Sequence, residues 1–117
     1  MGQLHYFTDE EVKGLDQELC AMLDQARGIA GVPFRLTATV ATQGHSPNSA
    51  HYKGLAVDIG LGHLAEGAER DGARWAILKG LFSAGFKRIE ICPRHLHVDV
   101  GTAPEYVSPL AWIGTDS

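Results

Sequence analysis

Three side chains in two short segments are of the types, and at the spacing, that hold one zinc ion. His51 and Asp58 lie in the stretch Ser-Ala-His-Tyr-Lys-Gly-Leu-Ala-Val-Asp that starts at Ser49, and His97 lies in His-Leu-His-Val-Asp from His95. In an extended chain side chains alternate faces with a period of two. Leu55, Val57 and Ile59 therefore share one face of the first segment, and Ala56 and Asp58 the other. The second segment sorts Leu96, Val98 and Val100 against His95, His97 and Asp99. A register that buries both apolar faces in one sheet turns Asp58 and His97 to the same side. His51 arrives from the loop ahead of the first strand, where Gly54 lets the backbone turn in close. Three protein ligands with one position left for water is the pattern of a catalytic zinc, whereas structural zinc is usually closed by four ligands rich in Cys. Cys20 and Cys92 form no Cys-x-x-Cys pair. Asp99 is read as a carboxylate that orients a ligand imidazole from behind.

At these residues the chain resembles the zinc D-Ala-D-Ala carboxypeptidases and related phage endolysins, which share a fold with the hedgehog signalling domain. The family pattern is Ser-x-His, then Gly-x-Ala-x-Asp, and much later His-x-His on a strand. It is met here by Ser49, His51, Gly54, Ala56, Asp58, His95 and His97. The likeness runs from the first helix to Val100, and residues 47–51 and 85–89 look most like the small phage-type members. The resemblance implies that His51, Asp58 and His97 are ligands of Zn2+ and that His95 sits beside the reacting carbonyl. It implies hydrolysis of peptidoglycan stem peptides, of the D-Ala-D-Ala carboxypeptidase or L-Ala-D-Glu endopeptidase type.

The chain departs from that pattern at two places. Members carry Ser-Gly-x-Arg on the strand before the zinc loop, where the Arg holds a substrate carboxylate or stabilises the oxyanion; residues 37–42 here read Thr-Ala-Thr-Val-Ala-Thr. Members also place an acid three residues before the last ligand, and that position is Arg94. The nearest upstream acid is Glu90. Alternation groups Arg88, Glu90 and Cys92 against Ile89 and Ile91, so a bend at Pro93 brings Glu90 to the ligand side as the expected general base. Zinc would lower the pKa of its water and polarise the scissile carbonyl while His95 stabilises the oxyanion. Ser49 is read as a hydrogen-bonding residue of the loop that holds His51 and as a candidate substrate contact. His45, in the loop bordering the cleft, is a candidate substrate contact. His5 and His63 are expected in solvent. The replaced Arg and acid equally describe a zinc-binding domain of the same fold that has lost catalysis and serves as a binding or virion structural module. A hydrolase of some other peptide or amide is a third reading.

The 117 residues make one domain, 1–117, long enough for a core. Hydrophobic residues at 44% and charged residues at 21% are those of a folded chain rather than a disordered one. A net charge of -4 without any Lys/Arg run excludes the electrostatic footprint of a nucleic-acid binder. Apolar stretches fall short of the roughly 20 residues that span a bilayer, and no basic-then-apolar leader opens the chain. The expectation is a monomer that is cytoplasmic at synthesis; a phage-encoded member would pass from host cytoplasm to cell wall. The two cysteines are expected as reduced thiols.

The elements that must position the site are an α+β set: a small antiparallel sheet with helices packed against it. Thr8-Asp9-Glu10-Glu11 has the form of a capping box, with Phe7 and Val12 as a staple, so a helix is predicted from there to Ile29. Residues 34–40 read as a strand and 41–49 as a loop. A second helix is predicted over 69–84 with Trp75, Leu78 and Phe82 on one face and Gly85 as its stop. Residues 86–92 and 95–100 should form a hairpin turning at Pro93-Arg94. Trp75, Trp112 and Tyr106 are core candidates, with Tyr106 also placed to line the site. The tail from Thr102, broken by Pro104 and Pro109, is predicted to pack without regular structure.

Overall fold

The structure, a computed structural model, describes residues 4–38, 53–102 and 106–116. His45, Ser49 and His51 lie outside the described residues. In chain order the elements are α1 (Gln17–Ala30), β1 (Arg35–Ala38), β2 (Ala56–Gly60), α2 (Ala68–Ser83), β3 (Arg88–Ile91), β4 (His95–Asp99) and β5 (Leu110–Ile113). The strands form one sheet in the order β1-β2-β4-β3-β5.

The predicted first helix begins later than its capping box. Thr8 and Glu11 do make the reciprocal bonds, Thr8 N–H to Glu11 Oε1 at 2.9 Å and Glu11 N–H to Thr8 Oγ1 at 3.2 Å. They close only a turn, because Gly14 sits at φ 81, where a right-handed helix cannot continue. The helix starts afresh behind Asp16, whose carboxylate accepts from Leu19 N–H at 3.0 Å. Asp16 N–H in turn donates to the Gly54 carbonyl at 2.9 Å. Gly54 has φ 70, and a methyl group there would overlap the Gly14 carbonyl. The N-terminal turn is thereby docked against the segment that enters β2.

The core lies between the helices and one face of the sheet. Leu19, Leu23 and Ala26 of α1 and Ile77 and Leu81 of α2 are buried in one cluster with Val57, Ile59, Ile89, Leu96 and Val98. These five strand residues alternate with the polar ones, as a sheet apolar on one face requires. The predicted inward face of α2 is corrected at two of its three residues, since Leu78 does pack against the core. Trp75 is 66% exposed and Phe82 53% exposed. The buried side of α2 is Ile77, Gly80 and Leu81. Gly80 is the reason: it lies so close to the Ala26 carbonyl and the Ala30 methyl of α1 that the helices meet at a small residue, which leaves no room for aromatic rings.

The α+β class holds, but the sheet is mixed rather than wholly antiparallel. β1 with β2, β2 with β4 and β3 with β4 pair antiparallel, and the β3–β4 hairpin turns where expected. The tail, expected to be irregular, supplies β5, which runs parallel to β3 along the sheet edge. Leu110 N–H donates to the Lys87 carbonyl at 2.7 Å and Gly114 N–H to the Ile91 carbonyl at 3.0 Å. Pro109 is tolerated because it stands just ahead of an edge strand and removes no ladder bond. No helix among the described residues is long and apolar enough to cross a membrane.

Gly80→Ala should therefore overpack the α1–α2 crossing and cost about 1–3 kcal/mol, read as a lowered urea midpoint at unchanged slope.

Candidate metal centre

The antiparallel register builds the site as rows across the sheet. Asp58 of β2 stands opposite His97 of β4, His97 opposite Glu90 of β3, and Glu90 opposite Trp112 of β5. The next row runs Ala56, Asp99, Arg88 and Leu110. On the other side Gly60 pairs His95, and Cys92 N–H donates to the His95 carbonyl at 3.0 Å. All of these point away from the core, since their strand neighbours are the buried apolar residues. Asp58 and His97 share a face, and Glu90 joins them directly across the hairpin without any bend at Pro93.

His97 is gripped from both sides. Its Nε2 lies 2.7 Å from Asp99 Oδ2, and its Nδ1 lies 3.3 Å from Asp58 Oδ1. Burial alone would pull the imidazole pKa down, but hydrogen bonds and charge from Asp58 and Asp99 outweigh it and raise the value to about 9. Asp99 is itself fixed by two further donors: Arg88 Nε at 2.6 Å and Gly101 N–H at 3.0 Å, both to Oδ1. Its burial favours the neutral acid, yet these donors and His97 hold its carboxyl below the usual range. Arg88 is 9% exposed. It also donates to the Val107 carbonyl, and its guanidinium lies 5.1 Å from the Trp112 ring centre and 5.4 Å from that of Tyr106. Of the three aromatic core candidates, Tyr106 is buried beside Ala56 on this polar face, Trp112 is half-buried on it, and Trp75 is in solvent.

This arrangement suits a metal ligand. Between two carboxylates the ring holds a proton on each nitrogen; a metal that displaced the Nδ1 proton would find Nδ1 already facing the Asp58 carboxylate, with Asp99 holding Nε2–H. Asp99 therefore stands behind His97, on the side away from Asp58.

A second group of donors lies alongside. Glu90, Cys92 and His95 bring a carboxylate oxygen, a thiol sulfur and a ring nitrogen within 4.8 Å of one another. Cys92 was not expected at the site, although strand alternation places it on the face of Glu90 and the hairpin sets it beside His95. Its thiol is pushed up to about 11, first by burial and then by the negative charges of Glu90, Asp116 and Asp58. Asp116, from beyond β5, was also missed. Its Oδ1 lies 2.8 Å from His95 Nδ1 and accepts from Arg94 N–H at 3.0 Å. A tail residue far along the chain leaves no local signal of such a contact.

Asp58 and His95 open onto a cleft of about 570 Å³, also lined by Arg35, Thr37, His63, Arg94 and Asp116. His63 and His5 are exposed, as expected. Arg35 puts a guanidinium on β1 two residues before the stretch that lacks the expected Arg. No protein-family model, curated protein or solved structure matches the chain.

Asp99→Ala should leave the buried Arg88 charge without its carboxylate and cost about 3–5 kcal/mol, measured by urea denaturation. In whatever fraction stays folded, zinc affinity should fall about 10- to 100-fold, read by competition with a chromogenic chelator.

Proposed function

We propose that the chain is a zinc-dependent peptidase of bacterial cell-wall stem peptides, with Zn2+ held by Asp58, His97 and His51. The observation that carries this reading is the pairing of Asp58 with His97 Nδ1 while Asp99 occupies His97 Nε2. A bound zinc supplies a Lewis acid for a peptide carbonyl and acidifies a water. The chain's own residues supply the rest. His95, held at Nδ1 by Asp116, presents its ring to the cleft as the oxyanion partner. Glu90, on the same face and directly across from His97, is the base that accepts the proton. Arg35 gives the cleft a cation able to receive a peptide carboxylate, which answers the lack of an Arg in residues 37–42.

The non-catalytic alternative draws on a specific observation as well. Arg94 stands where the resembled family has its acid, and it is tied through N–H and Nε to Asp116. A domain that binds zinc and wall peptides without cutting them fits those contacts.

The test is to incubate zinc-loaded protein with purified cell walls and to quantify new amino termini. Release of amino termini that His97→Ala abolishes, together with its zinc, supports the peptidase. Zinc bound without release on any wall peptide replaces it with the binding domain. Undiminished stoichiometric zinc in His97→Ala overturns both.

Two variants should separate ligation from turnover. Glu90→Gln should retain the zinc equivalent held by Asp58 and His97 while lowering hydrolysis about 100- to 10,000-fold. His95→Ala should likewise spare that equivalent and lower the rate, since Asp58 and His97 remain.

A further inference from the structure

We propose that Glu90, Cys92 and His95 form a second, thiolate-containing metal site, whose occupation by a second divalent ion switches the cleft chemistry off. The donor atoms already lie within 4.8 Å of one another. They need no rearrangement of the strands, because they sit on adjoining rungs of one hairpin.

Three further observations point to an ion rather than to packing. First, no Lys or Arg forms an ion pair with Glu90 among the described residues; the neighbouring Arg88 is committed to Asp99, and Arg94 to Asp116. Glu90 is partly buried beside the Cys92 thiol, and no cation neutralises it among the described residues. Second, the Glu90 carboxylate lies against Gly114, beside the chain that leads to Asp116. Third, Asp116 binds His95 at Nδ1 and fixes its ring, which is the way carboxylates orient metal-ligating imidazoles. His95 lines the open cleft, which gives an ion a route in.

The donor set states which ion. Sulfur, imidazole nitrogen and one carboxylate favour zinc or cobalt over magnesium or calcium, which take oxygen shells. Binding exchanges one proton for the metal: the Cys92 S–H bond breaks, the proton goes to solvent, and the sulfur lone pair forms the bond to the ion with no change of oxidation state. Three protein donors leave a position for water.

The inhibitory consequence rests on the peptidase reading; the binding does not. An ion here takes up the Glu90 carboxylate proposed as base and the His95 ring proposed for the oxyanion. The first zinc equivalent then activates and the second inhibits.

The experiment is a Co2+ titration of the full chain, followed in the near ultraviolet for the sulfur-to-cobalt charge-transfer band. The expected result is that the band grows with the second equivalent, persists in Cys20→Ala and is lost in Cys92→Ser. Absence of the band in the wild type at saturating Co2+ overturns the site without recourse to any variant, as does a band that Cys20→Ala removes. Hydrolysis of cell walls gives the second arm. Excess Zn2+ should lower wild-type release of amino termini about 100-fold, the loss of a general base, and leave Cys92→Ser unaffected. Equal inhibition of both proteins overturns the switch. A wild type that shows the Cys92-dependent band but never cuts a wall peptide keeps the metal site and removes the peptidase reading on which the switch depends.

Discussion

The polar face of the sheet depends on the buried carboxylate of Asp99. One oxygen takes Arg88 and the Gly101 amide; the other takes His97. A charge that deep is tolerable only when its acceptor positions are filled by good donors. The requirement reaches outward from there. Arg88 must stay within reach of the Tyr106 and Trp112 rings, the His97 ring must stand with Nδ1 toward Asp58, and the Gly101 amide must point back at Asp99. Gly101 in turn abuts the Tyr106 ring so closely that a side chain would collide with it. The two faces of the sheet are thus held by unlike forces: apolar burial under the helices, and a directional charge network opposite them.

Much of this was legible from alternation alone. Residues 55–59 and 95–100 carry a period of two so regular that the shared face of Asp58 and His97 follows from burying Val57 and Val98 together. The hairpin at Pro93-Arg94 and the second helix were equally plain, because turn residues and Gly85 punctuate them. Glu90 was placed on the right strand and the right side of it. Its position opposite His97 depends on hairpin register, which the sequence does not state.

What escaped reading was whatever depends on long-range packing. The Thr8–Glu11 box forms its bonds and still does not launch the helix, because Gly14 adopts a left-handed conformation in docking to the loop at Gly54. Helical spacing groups Trp75 and Phe82 with Leu78 on one face; Gly80, the residue that decides the helix crossing, has no side chain to announce it. Strand β5 spans four residues, two to a face, too few for periodicity to register. Alternation puts Cys92 on the face of Glu90, but a lone thiol carries no spacing that announces a His across the hairpin.

The parallel placement of β5 also divides the molecule along its chain. The core needs only the segments up to β4, all of which precede the tail. The donor face takes Gly114 against Glu90 and Asp116 against His95, and the Trp112 ring within 6.0 Å of that of His97. Damage confined to residues 110–116 would therefore spare the apolar face and fall on the polar one. Scaffold and donor face are separable parts of one small sheet.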